Sequence, residues 1–316
     1  MTGGKVKAAA IQMQAVMGNV AANLDKADRL VDEAAGKGAG LIILPEFFTS
    51  AACFHPRLLD AVVPLNGKVM DFLAAKAKKH QACVGGSFIA AREGERYNTF
   101  VLAMPDGATA KHDKDQPTMW ENCYYVGGQD DGILSTPWGP VGAVLCWEFV
   151  RNRTLRRLLG RVDLVVGGSC WWTVPQNWVP KWFWDWHDRE NARLMAITPL
   201  TMARLLGVPV VHAAHAGNFR AHTPWLPLVP YESFYLAETQ IIDGTGVILA
   251  RMTRADGEGV ITAEITPGRQ APGLKPTTSF WIPRLPLLFR FIWAYQNLHG
   301  SLYYQRLKRS GRMPLP

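Results

Sequence analysis

Leu41-Ile-Ile-Leu44-Pro45-Glu46-Phe47 decides the fold class. Four consecutive apolar residues without polar alternation read as a strand buried on both faces, the pattern of a parallel sheet under helices. The strand stops at Pro45, which cannot donate to a ladder, so Glu46 stands at its end. Before it, Lys5 to Gln12 reads as a short apolar strand. Asn23 to Lys37 reads as a helix, with Leu24, Ala27, Leu30, Val31 and Ala34 at helical spacing and Gly36 and Gly38 ending it. The alternation continues downstream. A helix is expected over 69–80, strands over 82–89 and 97–104, and turns at Glu93-Gly94-Glu95 and Asp106-Gly107. The polar, aromatic segment 112–131 reads as a loop across a site. A strand over 141–145 ends at Cys146, followed by a helix over 154–159 and a strand over 164–166. Then come a helix over 185–206 broken near Pro199, a strand over 208–213, a turn at Asp243-Gly244 within 241–249, and a closing strand over 259–265. Alternating strands and helices predict an α/β fold with helices outside.

Composition narrows the class further. The chain has 316 residues, 48% hydrophobic and 19% charged, an ordinary globular balance with ample material for a core. No apolar run approaches the roughly 20 residues that a spanning helix requires. Five cysteines without a CxxC pair, and no secretory signal at the start, point to reduced thiols and a cytoplasmic protein. The net charge of +8 is uneven: Arg284, Arg290, Arg306, Lys308, Arg309 and Arg312 fall in residues 284–316 with no acid, leaving about +2 elsewhere. No nucleic-acid-binding motif accompanies the basic charge, so no nucleic acid is expected as a partner.

Three polar side chains sit where apolar strands end or a loop crosses them: Glu46, Lys114 and Cys146. Open α/β sheets collect ligand-binding and catalytic groups at strand ends. Singly, each has a plainer reading. A cysteine closing an apolar strand is commonly a small core residue. A glutamate after proline caps helices, and Lys114 in Lys111-His-Asp-Lys114-Asp reads as a solvated face.

Their conjunction carries a resemblance. Leu41-Ile-Ile-Leu-Pro-Glu46-Phe47 is similar to the glutamate motif of the nitrilase (carbon–nitrogen hydrolase) superfamily. Lys114-Asp-Gln-Pro117-Thr118-Met-Trp-Glu121 resembles its lysine motif, and Gly142-Ala-Val-Leu-Cys146-Trp147-Glu148 its nucleophile motif. Order and rough spacing agree, Tyr97-Asn98-Thr99 and the Asp243-Gly244 turn are also family-like, and the resemblance spans roughly residues 5 to 266. It implies a four-layer α-β-β-α sandwich, taken as residues 1–270; by composition, residues 271–316 read as a Pro-rich linker and a basic, aromatic tail. It also implies a homodimer or larger homo-oligomer built through the outer helices, with no metal or organic cofactor.

The chemistry implied is attack by the Cys146 thiolate on a small-molecule amide or nitrile. Lys114 would favour the thiolate and stabilise the charge developing on the substrate. Glu46 would shuttle protons as general base and acid. Glu121 beside it would raise a carboxylate's pKa and help hold the substrate, and the backbone N–H of Trp147 would add an oxyanion donor. Pro117-Thr118 and Cys146-Trp147-Glu148 lean toward nitrilases. Phe149 and Gly167-Gly-Ser-Cys-Trp171-Trp172 depart from the nitrilase pattern, which leaves amide and nitrile both open. The alternative activity is N-acyl transfer by the same triad, with an amine or lipid replacing water.

Other features have competing readings. Trp171 and Trp172 open a run of six tryptophans ending at Trp186, which suits either a substrate wall or ordinary packing. His212 and His215 lack a third ligand nearby and read as buried, hydrogen-bonded histidines. His187 with Cys146 would make a rival Cys–His hydrolase. In the tail, Leu287, Leu288, Phe291, Ile292, Tyr295 and Leu298 fall at helical spacing beside basic flanks. An oligomer contact is the first expectation there, and a peripheral membrane contact the second.

Overall fold

The computed structural model describes residues 4–223 and 226–311, and its layers follow from the directions of alternate strand residues. The first half runs β1 (Val6–Met13), α1 (Val20–Gly36), β2 (Leu41–Ile43), β3 (Val63–Pro64), α2 (Lys68–His80), β4 (Cys83–Arg92), β5 (Glu95–Ala103) and β6 (Thr109–Asp113). The second half runs β7 (Ile133–Thr136), β8 (Gly139–Leu145), α3 (Asn152–Leu158), β9 (Leu164–Ser169), α4 (Lys181–Leu206) and β10 (Val210–His215). It closes with β11 (Asn218–Thr223), β12 (Leu226–Phe234), β13 (Thr239–Ile242), β14 (Ile248–Met252), β15 (Gly259–Ile265) and α5 (Leu287–Arg309).

Ala8 and Ala10 of β1 and Leu41 and Ile43 of β2 share a core with Val141, Ala143 and Leu145 of β8 and with Val166 and Val211. That core lies between two sheet halves. The alternate residues Ala9, Ile11 and Ile42 face Leu30 and Val31 of α1 and Leu73 of α2. On the far side, Val144, Val165 and Val210 face Leu155 and Leu158 of α3 and Met202 and Leu206 of α4. The result is the expected α-β-β-α sandwich. The strand path is β6-β5-β4-β2-β1-β10-β9-β8-β7. Its two halves are hydrogen-bonded to each other where β1 pairs β10, at Gln12↔Ala214 and Met13↔His215. Each centre is parallel (β1-β2-β4 and β8-β9-β10), so the carboxyl ends of β2 and β8 lie at one end of the layers.

Two local features differ from expectation. α4 begins at Lys181 and passes through Pro199 unbroken. The Thr198 and Thr201 hydroxyls bond the carbonyls of Leu194 and Ile197 on either side of the proline. The β11-β12 hairpin carries no strand signal because Pro227 and Pro230 interrupt the second strand; the pair stands as a separate two-stranded sheet, where prolines are tolerated.

The chain after β15 is tied to the sandwich along its length. Gln270 N donates to Gly207 O at 2.8 Å, Gly273 N to Arg204 O at 2.8 Å, and Ile282 N to Val150 O at 2.8 Å. α5 then folds back over the loop after β6. Asn297 Oδ1 accepts from Met119 N at 2.8 Å and from Asn122 Nδ2 at 3.0 Å. The Trp293 ring stacks on Trp147 with centroids 5.3 Å apart. At Gly300 the helix touches this loop so closely that a Cβ would stand 2.6 Å from Asn122 Cβ. No helix among the described residues is long and apolar enough to cross a membrane.

Gly300→Val therefore pushes α5 off its seat. Limited proteolysis is expected to cut the variant within 272–311 many times faster than wild type, while the sandwich resists; equal cleavage rates would show that α5 is not held there.

Candidate active site

Strand ends assemble the site. β2 runs into Pro45-Glu46, β8 runs into Cys146, and Lys114 follows β6, its backbone fixed by Lys114 N→Asn98 O at 2.9 Å and Gly128 N→Lys114 O at 2.8 Å. Glu46, Lys114, Cys146 and Glu121 are all buried. Lys114 Nζ donates to Glu46 Oε1 at 2.9 Å and to Glu121 Oε2 at 2.7 Å. Carboxylate oxygens of both glutamates and Cys146 Sγ lie within 4.8 Å of one another. A divalent ion could use that spacing, but the Lys114 ammonium already supplies the positive charge between the carboxylates. Asn98 Nδ2 and the backbone N–H of Cys170 each donate to Glu46 at 2.8 Å. Glu121 Oε2 accepts from Thr118 N at 2.8 Å and from the Tyr125 hydroxyl.

The backbone is strained in the segments that bring Glu46, Lys114 and Cys146 together. Phe47, Met119 and Cys146 hold φ values of 54°, 55° and 49°, in the left-handed region that non-glycine residues avoid. Such conformations cost on the order of 1–3 kcal/mol each and persist where surroundings over-determine them. Glu148 does this for the nucleophile turn. Its buried carboxylate accepts from Leu145 N at 2.8 Å and from Asp115 N at 3.1 Å, joining the cysteine turn to the lysine loop. His112 bridges Glu148 and Asp130. Burial pulls His112 down, yet the two carboxylates outweigh it and push it up to about 9. Burial acts upward on Glu148, and the His112 charge outweighs it, holding the carboxyl well below its ordinary range. Gly168 lets β9 pass the glutamate turn, since a Cβ there would lie 2.9 Å from Glu46 N.

These surroundings set the protons. Burial, reinforced by Glu121 and opposed by Lys114, pushes Glu46 up to about 7. Burial and then the Glu46 charge push the Cys146 thiol well above its ordinary value. Burial opposes the charge on Lys114, but Glu121 and Glu46 hold the ammonium well above its ordinary value. The resting pair is thus a protonated thiol beside a carboxyl poised near neutrality.

A cavity of about 180 Å³ opens on Cys146. Trp120, Trp147, Trp171, Trp172 and Tyr231 form its walls, and Phe289, Ile292 and Gln296 of α5 close over it. Trp120 stacks on Trp172 at 4.2 Å, and Trp171 Nε1 donates to Asn191 Oδ1 at 2.9 Å. Of the remaining tryptophans in the run, Trp178 and Trp184 also line the cavity, whereas Trp182 and Trp186 are exposed. His212 is buried against Ser169 Oγ and Glu238 O, and His215 between the carbonyls of Met13 and Glu46. His187 lies against Phe183 O and the Phe289 ring. Sequence reasoning missed the α5 wall, Tyr125 and the bracing by Glu148 and His112. It noted Asn98 and Glu148 only inside family-like stretches.

The chain belongs to the carbon–nitrogen hydrolase family, which it matches over residues 7–272. It is 30% identical to an aliphatic nitrilase of Sinorhizobium fredii over 164 residues, 46% of this chain and 53% of that one. It is 27% identical to a cyanide hydratase of Armillaria gallica over 188 residues, 54% of this chain and 53% of the other. The chain spans about half the length of the curated relatives it matches. Among solved structures it is similar to a carbon–nitrogen hydrolase from Helicobacter pylori, at 19% identity and TM-score 0.68, covering 83% of this chain and 89% of that one. It is also similar to an amidase from Nesterenkonia, at 18% identity and TM-score 0.64, covering 84% and 92%. These likenesses show the nitrilase-type fold.

Because Glu46 accepts a proton only as carboxylate, alkylation of Cys146 by iodoacetamide should speed up as pH rises through about 7. Peptide mass spectrometry should show Glu46→Gln slowing the reaction and erasing that inflection. An unchanged profile in Glu46→Gln would remove Glu46 as the thiol's base.

Proposed function

We propose that this protein hydrolyses a non-peptide C–N bond, converting an apolar nitrile or amide to a carboxylic acid and ammonia through a thioester on Cys146. The observation that carries the reading is the buried Lys114 ammonium, bonded to Glu46 and Glu121 beside the Cys146 thiol. In this reaction Glu46 takes the thiol proton as Sγ attacks the substrate carbon. Lys114 stabilises the negative charge that forms on the substrate's oxygen or nitrogen. For an amide, the protonated Glu46 gives its proton to the departing nitrogen, and ammonia leaves behind a thioester. A nitrile first gives a thioimidate, which one water converts to the same thioester with loss of ammonia. Glu46 then deprotonates a water that attacks the thioester, releasing acid and restoring the thiol.

Nitriles stand first because the relatives at 27–30% identity bear nitrilase and cyanide hydratase names. Amides follow because only the initial addition differs. The acyltransferase alternative gains no support from these relatives. The Cys–His alternative is disfavoured because Glu46, Lys114 and Glu121 are the charged groups that act on Cys146, while His187 lies against Phe183 O and the Phe289 ring. The family resemblance supports pairing through the outer helices as the assembly, and the reduced cysteines support a cytoplasmic setting.

Ammonia release from a panel of aryl and alkyl nitriles and amides tests the proposal. Lys114→Ala is expected to lower kcat/KM by roughly a hundred- to thousand-fold, with Cys146→Ala at background. A Lys114→Ala enzyme with full activity would overturn the assignment of the ammonium to transition-state stabilisation.

A further inference from the structure

The tail helix α5 is apolar on both sides. Phe289, Trp293 and Tyr304 are buried against the rest of the chain. Leu287, Phe291, Tyr295, Leu298 and Leu302 recur every three or four residues, so they share one face of the helix. That face meets solvent: Leu287 is 79% exposed, Phe291 and Leu298 66%, and Leu302 59%. A helix laid on a globular core ordinarily turns charged and polar residues outward, so an apolar stripe in their place marks an interaction surface.

The charge around the stripe is of one sign. Residues 266–316 hold no Asp or Glu. At the start of α5, Arg284 and Arg290 line a surface groove together with Phe280, Leu287 and Phe291. At its other end, Arg306 and Arg309 line a second groove with Leu302, which they follow at helical spacing. All four arginines are exposed, and none forms an ion pair among the described residues. Lys308 differs, being paired with Glu95.

This pattern selects among occupants. A second copy of the chain seated two-fold on the same face would set arginine against arginine, with no acid in residues 266–316 to answer them. A bilayer that carries anionic lipid answers both parts, its acyl boundary taking the leucines and its phosphates the arginines. We propose that the outward face of α5 docks on an anionic lipid surface, with Leu287, Phe291, Leu298 and Leu302 inserted and the four arginines on lipid phosphates. The helix lies on this surface; no helix among the described residues is long and apolar enough to cross it. Phe291 also lines the cavity that opens on Cys146, so docking brings that cavity to the edge of the bilayer. The docking itself is independent of the reaction at Cys146.

Co-sedimentation of the full-length protein with vesicles tests this. One set is phosphatidylcholine alone, the other an equal mixture of phosphatidylcholine and phosphatidylglycerol. At low salt the protein should pellet with the anionic vesicles and stay in solution with the neutral ones, and added NaCl should release it. Arg306→Gln with Arg309→Gln should weaken binding roughly tenfold or more, the effect of two lost basic contacts. Leu298→Ser with Leu302→Ser, which leaves every charge in place, should weaken it to a similar degree. All four positions are exposed, and thermal melts certify that the variants fold. Sedimentation velocity without lipid should give one assembly size for wild type and both variants. No binding to anionic vesicles, equal binding to the two vesicle types, or undiminished binding by either folded variant overturns the proposal. A smaller assembly in the leucine variant would assign the stripe to a second copy and overturn it as well.

Discussion

A lysine ammonium buried between two carboxylates is the constraint on which the rest of this molecule turns. Lys114 is inaccessible to solvent, as is Glu46, and Glu121 is nearly so. Taking any one of these charges out of water alone would be prohibitive, and losing one partner typically costs about 3–5 kcal/mol. The three are tolerable only as a bonded set, to which Asn98 and the N–H of Cys170 add hydrogen bonds on Glu46, and Tyr125 and the N–H of Thr118 add hydrogen bonds on Glu121. That set draws on β2, β5, β9 and the loop after β6. The sandwich must close in one register for the charges to meet, and the strained turns at Phe47, Met119 and Cys146 follow from that closure.

The same burial manages the protons. It keeps the thiol protonated at rest, with the Glu46 charge adding to the effect, and lifts Glu46 to about 7 against the pull of the Lys114 ammonium. In the proposed reaction, a proton transfer from sulfur to the Glu46 carboxylate then starts the attack on the substrate. A second buried ion pair, Glu148 with His112, braces the turn without lying on the reaction path.

Much of this was legible in the sequence, for a physical reason. Fully buried parallel strands announce themselves as apolar runs, so Leu41 to Leu44 and Val141 to Leu145 gave away both the layers and the strand ends. Glu46, Lys114 and Cys146 each had a plainer reading alone, and the conjunction of three ordered, family-like motifs is what singled them out, with Glu121 following from the lysine motif. Other parts were hidden. Pro227 and Pro230 masked a strand, and α4 continues through Pro199, where a break was expected. The tail helix has apolar residues on both faces. Phe289, Ile292 and Trp293 look inward while Leu287, Phe291 and Leu298 look out, and sequence spacing alone does not say which face meets the core. Its role as a pocket wall needed three dimensions.

The central claim is that Cys146 carries the acyl group. Rapid-quench intact-mass spectrometry of wild type during turnover of a reactive nitrile or amide tests it most directly. The account predicts a transient adduct of the acyl mass on the peptide holding Cys146, forming with ammonia and decaying with acid release, and absent from Cys146→Ala. Turnover at the wild-type rate in Cys146→Ala would contradict it.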